Sequence, residues 1–156
     1  KKGGKINTGI FEGATINTPS MLATEDYIDA LEWAQAMGGR KAMFERADAN
    51  AKIVLDWIEA TPWLRNMVSD PAKRTNTGIC MVFQGEWYDN LPDDEKAAVP
   101  KKIVKLLEDR DVGYDFNGYR DAPPSLRIWC GGTVEQEDLK RLLPWIEWAY
   151  EQVKAG

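Results

Sequence analysis

Few side chains in this sequence could do chemistry, and the first of them is Arg127, in "PSLRIWCGG". If Leu126 and Ile128 face one side of a strand, Arg127 faces the other. A mid-strand arginine is costly to bury without an anion, and its planar fork holds a carboxylate by two parallel bonds. The plainer reading is a structural pair with one of the 25 acidic side chains. Arg120, in the loop before it, reads more simply still as a solvated loop arginine. A second candidate is "TINTPS", Thr15 to Ser20. Asn17-Thr18-Pro19 is helix-capping chemistry, with Thr18 as the cap and Pro19 in the first helical position. The same amides and hydroxyls at a helix start can also hold a phosphate. Asp93-Asp94-Glu95 reads as a solvated helix start, and Gly131-Gly132 as the turn into the last helix. Trp129, Trp145 and Trp148 fall on apolar stripes, which suits a core or an interface.

Absences narrow the classes further. The 156 residues contain no histidine, which removes histidine-based triads and most zinc sites. Cys80 and Cys130 lie in apolar runs and read as buried free thiols, with a disulfide conceivable only if their strands are neighbours. A net charge of −5 leaves no basic footprint for nucleic acid. No apolar run approaches the ~18 residues of a membrane span. The short basic start, Lys1 to Lys5, has no apolar core and is no signal peptide. The chain does not begin with Met and opens in a polar turn, as trimming or a piece of something longer would produce.

The elements that must position these residues follow from periodicity. Residues 1–17 are Gly-rich and read as a looped lead-in. Tyr27, Ile28, Leu31, Ala34 and Met37 predict a first helix, ended by Gly38-Gly39. Met43, Phe44, Ala47, Ala51, Val54, Leu55 and Ile58 predict a second, from about Arg40 to Glu59. Trp63 to Val68 predicts a short strand, and Thr77 to Gln84 a central strand covered on both faces. Residues 85–98 read as a loop with a turn of helix. Pro100 is expected to open a third helix ending near Asp109. Val112–Phe116 and Ser125–Cys130 are two more strand candidates, separated by "NGYRDAPP". Thr133 with Gln136 forms a capping-box signature for a last helix, in which Pro144 is expected to produce a kink. The fold class expected is α/β, of the α+β small-domain kind: helices packed on a small, mostly antiparallel sheet. The residues alone name no reaction.

Three stretches carry a resemblance: "EGATINTPSMLATEDYIDALEWA", "RADANAKIVLDWI" and "YRDAPPSLRIWCGGTVEQEDLKRLLPWI". Together they resemble the C-terminal part of the phosphoserine aminotransferase family, within the aspartate-aminotransferase-like, fold type I pyridoxal-phosphate enzymes. The resemblance implies transfer of an amino group from glutamate to 3-phosphohydroxypyruvate, giving 2-oxoglutarate and phosphoserine. It implies a role in serine biosynthesis and in pyridoxine biosynthesis, in a cytoplasmic homodimer with pyridoxal 5'-phosphate as cofactor. By motif match, Asn17 and Thr18 reach the cofactor phosphate of the neighbouring subunit, and Arg127 holds the substrate α-carboxylate. Arg120 is the counterpart of the family's phosphate-side arginine, with Tyr119 where the family often has histidine; the spacing from Arg120 to Arg127 is longer than in the histidine-bearing branch. The Schiff-base lysine and the carboxylate at the pyridine nitrogen belong to the large domain, upstream of Asn17. Lys1, Lys2 and Lys5 match the family's "KGGK" segment and not its cofactor-lysine motif. The expectation is a C-terminal fragment, inactive by itself and binding no cofactor alone. Residues 1–17 would belong to the missing N-terminal large domain and residues 18–156 to the small domain. The alternatives are a non-catalytic α/β binding or interaction module reusing this domain, and a neighbouring aminotransferase branch with another keto acid. A self-standing module would order residues 1–17 against its own core.

Overall fold

The computed structural model describes Gly3, Gly4, Ile6 and residues 8–156. Lys1, Lys2 and Lys5, which carry the "KGGK" match, lie outside the described residues. The chain forms two compact units, Lys1–Ala42 and Met43–Gly156.

In the first unit a 3-10 turn over Thr8–Glu12 precedes α1, Met21–Ala36. The cap is Ser20 and not Thr18: the Ser20 hydroxyl accepts from the Ala23 amide at 3.3 Å. Pro19 therefore precedes the cap instead of opening the helix. Thr24 Oγ1 donates back to the Ser20 carbonyl at 2.9 Å, closing the first turn from its other side. Gly38 and Gly39 end the helix at φ 109° and 70°, the left-handed region that a side chain would strain.

The second unit takes up α2, Gly39–Ala60, just after its start. Ala47, Ala51, Val54 and Ile58 repeat at helical spacing and are all buried. β1 (Leu64–Asn66), β2 (Gly78–Phe83) and β3 (Ser125–Trp129) form one antiparallel sheet in the order β1-β2-β3. Ile79, Met81 and Phe83 share one face of β2 with Leu126 and Ile128 of β3, and all five are buried. α3 (Glu86–Asp89), α4 (Asp93–Glu108) and α5 (Gln136–Ala155) complete the unit. Ile103, Val104 and Leu107 of α4 and Leu139, Leu143 and Ile146 of α5 close the core. Trp57 Nε1 donates to Glu147 Oε1 at 2.6 Å, which ties α2 to α5.

Four local expectations change, each for a physical reason. α4 opens at Asp93, not Pro100, which lies inside the helix. Proline lacks an N–H, so the Lys96 carbonyl has no helical donor; Tyr88 Oη donates to it at 3.4 Å. Residues 112–116 form no strand, because Asp111 and Asp115 take left-handed φ of 53° and 60°. Only an isolated bridge, Asn117 to Leu126, extends the sheet there. The Thr133–Gln136 capping box does not form. Glu135 is the cap residue of α5, and its carboxylate is held by Arg46 Nη2 at 2.7 Å. Finally, β2 is central, but its second face is not sealed: Val82 is buried and Cys80 only half-buried. Both cysteines are free although β2 and β3 are neighbours. Cys80 stands opposite Arg127 in register, on the face away from the core.

Candidate functional site

β3 alternates as its sequence requires. Leu126 and Ile128 are fully buried, and Arg127 between them keeps 38% of its side chain exposed. Its backbone N–H donates to the Phe116 carbonyl at 2.8 Å, which ties the 111–117 loop to the strand. Its Nη2 donates to Asp115 Oδ2 at 2.9 Å. Among the described residues, Nε and Nη1 hold no hydrogen bond. The Asp115 side chain is 84% exposed. An ion pair this open stabilises the fold by only ~0–1 kcal/mol. The structural pair read from the sequence therefore exists, but it leaves most of the fork unused.

That fork lines a cavity of about 610 Å³ with Thr75, Thr77, Tyr114, Trp129 and Asp138. Trp129 does not sit in the core. It is 58% exposed, at the rim of this cavity. A Cβ on Gly131 would stand 2.4 Å from Trp129 Cζ2, so glycine there is what lets the indole lie against the backbone. Tyr114 Oη donates to Asp111 Oδ1 at 2.6 Å, and that bond raises the phenol's pKa.

The strand-to-helix segment behind the cavity is held by two α2 residues that the sequence reading did not single out. Arg46 Nε donates to the Gly132 carbonyl at 2.8 Å, while its Nη2 takes Glu135. Asn50 Nδ2 donates to the Gly131 carbonyl at 3.1 Å and to the Val134 carbonyl at 2.9 Å. Asn50 is 1% exposed, and its Oδ1 has no partner among the described residues. The available signal was a polar residue beside Ala47 and Ala51 on the buried stripe, with an arginine four positions earlier.

Arg120 and Tyr119 are exposed on the 117–124 loop. They line a separate cavity of about 550 Å³ with Lys101, Asn117 and Ser125. The structure does not bring Arg120 and Arg127 into one cavity. In the first unit, Asn17 and Thr18 are exposed just ahead of α1. The Asn17 carbonyl accepts from Thr15 Oγ1 at 2.7 Å, and the Asn17 and Thr18 side chains hold no hydrogen bond among the described residues. Because Ser20 is the cap, the Thr18 hydroxyl is not engaged in capping. An amide and a hydroxyl left open just ahead of a helix are donors of the kind that can hold an anion. Among the described residues no cluster of acidic or thiol groups is arranged to hold a metal ion, and no helix is long and apolar enough to cross a membrane.

No family model matches the sequence. Over 153 residues the chain is 43% identical to a phosphoserine aminotransferase of Methanosarcina mazei and 44% identical to that of Methanosarcina barkeri. In both cases the match covers 98% of this chain and 39% of the relative. A phosphoserine aminotransferase of Phocaeicola vulgatus is 33% identical over 136 residues, 87% of this chain and 35% of the relative. The chain thus spans about two fifths of the length of these curated relatives. Among solved structures, the phosphoserine aminotransferase of Bacillus circulans subsp. alkalophilus superimposes with a TM-score of 0.73 at 20% identity, over 93% of this chain and 37% of that one. The PLP-bound phosphoserine aminotransferase of Trichomonas vaginalis gives 0.72 at 20% identity, over 89% and 36%. At such identities the structural likeness shows the fold alone. That fold is helices on a three-stranded antiparallel sheet; the sequence pattern predicts the helices and the antiparallel sheet, with one strand more than is found.

Proposed function

We propose, from the premise that this chain belongs to the phosphoserine aminotransferase family over 98% of its length, that it works as the substrate-gripping C-terminal small domain of a pyridoxal-phosphate aminotransferase. The reaction moves an amino group from glutamate to 3-phosphohydroxypyruvate. Arg127 carries this reading: a half-exposed guanidinium, fixed on a rigid strand, opens into a cavity with two of its three nitrogens unbonded. Such a fork binds an α-carboxylate and orients the rest of the substrate about it. The rings of Tyr114 and Trp129 line the same cavity as the guanidinium. Arg120, with Lys101 in its own cavity, is the candidate for the substrate phosphate.

Asn17 and Thr18 would donate to the cofactor phosphate of the neighbouring subunit in a cytoplasmic homodimer. Pyridoxal phosphate, when bound, supplies the electron sink at the substrate Cα. The lysine that holds it, in this reading, belongs to the large domain, with residues 1–17 leading out of that domain and residues 18–156 forming the small one. The chain alone is then inactive.

The test is Arg127→Lys in the full-length enzyme that contains this chain. Losing the two-pronged fork should raise the KM of both glutamate and the keto acid, weakening the binding of each by about 1–3 kcal/mol. Unchanged kinetics for both substrates would remove Arg127 from the site.

A further inference from the structure

Resting on the carboxylate role of Arg127, we propose that Asp115 is a tethered competitor for it: a carboxylate of the chain itself that sits on one prong of the guanidinium until the substrate carboxylate displaces it. The contact is Nη2 to Oδ2 at 2.9 Å, and both residues line the same cavity. Asp115 is placed there by β3 itself. Its neighbour Phe116 gives its carbonyl to the Arg127 backbone N–H at 2.8 Å, and the next residue, Asn117, bridges to Leu126. The loop therefore delivers the carboxylate to the arginine by backbone bonds that do not depend on the ion pair.

Three features make Asp115 a competitor and not a permanent partner. It occupies a single prong, so a ligand making two parallel bonds outcompetes it in geometry. At 84% exposure it returns to water without a desolvation cost when displaced. It also has left-handed φ of 60°, a conformation that aspartate and asparagine tolerate and most residues do not. The neighbouring Tyr114 hydroxyl is occupied by Asp111 and makes no bond to Asp115. The consequence is selectivity. A neutral or singly contacting ligand must compete with Asp115, whereas a carboxylate aligned with the fork replaces it with something better.

The experiment uses the 156-residue chain, labelled with nitrogen-15. The Nε–H resonance of Arg127, identified by its loss in Arg127→Lys, is followed while acetate replaces chloride at constant ionic strength. Asp115→Asn keeps the left-handed conformation and removes the charge; Asp115→Gly removes the side chain and is at ease at the same φ. An exposed pair of this kind should weaken acetate binding about twofold to fivefold. The half-saturating acetate concentration should therefore fall by that factor in both variants. Equal half-saturation in the wild type and both variants overturns the inference and leaves Arg127 as a carboxylate site. No response of Arg127 to acetate in any form removes the carboxylate role, and the inference with it.

Discussion

Asn50 gives the sharpest test of how the strand-to-helix segment behind Arg127 is held. It is buried to 1% exposure on α2, and its Nδ2 donates to the carbonyls of Gly131 and Val134. Asn50→Ala removes two hydrogen bonds, worth ~0.5–1.5 kcal/mol each, but also removes the unpartnered Oδ1, whose burial costs a similar amount. The net loss should be small, ~0–2 kcal/mol. Asn50→Asp loses the same bonds and turns a carboxylate toward two carbonyl oxygens. An uncompensated buried charge costs ~3–5 kcal/mol. The aspartate variant should therefore be less stable than the alanine variant by at least ~2 kcal/mol at neutral pH. Burial raises the pKa of that carboxyl in the folded state. Its protonated form is then favoured by folding, so the variant is most stable in acid and loses stability as pH rises through the folded pKa. Urea denaturation followed by circular dichroism, at neutral pH and at mildly acidic pH, measures both effects. Equal stability of the two variants at neutral pH would refute the clamp, because it would mean that water or another donor reaches Asn50.

The same core makes two further predictions. Burial pushes the Cys130 thiol up to about 11, so unfolding releases a proton more readily than the folded state does above the ordinary thiol range near 9. Stability should be held below pH 9 and decline by about 2–3 kcal/mol between pH 9 and 11; Cys130→Ala should flatten that limb without abolishing it, since burial also raises the pKa of Tyr88 and Tyr150. An unaltered alkaline slope in the variant contradicts this. Gly131→Ala places a Cβ 2.4 Å from Trp129 Cζ2. Because the ring is exposed it can swing away, so the indole N–H resonance of Trp129 should shift while stability falls by under ~1 kcal/mol; a fixed resonance contradicts the packing.

How much of this was legible depended on the range of the forces involved. The buried core of the α2 stripe (Ala47, Ala51, Val54 and Ile58), the central place of β2 and the placing of Arg127 opposite Leu126 and Ile128 follow from local periodicity, and the structure keeps them; Phe44 of the same stripe is exposed, and the second face of β2 is only partly covered. Pro100 misled because the donor that frees it from the helix rule, Tyr88, comes from a separate short helix. Thr18 misled because Ser20, two residues on, is an equally good cap, and propensity does not choose between them. The Thr133 capping box lost to a contact from α2, 86 to 89 residues away in sequence. Asp115 could not be foreseen as the partner of Arg127, since its position depends on left-handed backbone at Asp111 and Asp115. The family reading came from resemblance in three stretches, and the comparisons carry it; periodicity and charge alone stop at an antiparallel α/β unit with one unusual arginine.

In the proposed reading this chain supplies anion-gripping donors, while the amine that traps the cofactor is supplied from outside it. Mixing the purified chain with pyridoxal phosphate, reducing with borohydride and mapping the product by mass spectrometry tests it directly. Only scattered, substoichiometric labelling of surface lysines is expected. One adduct per chain at a single lysine would contradict it.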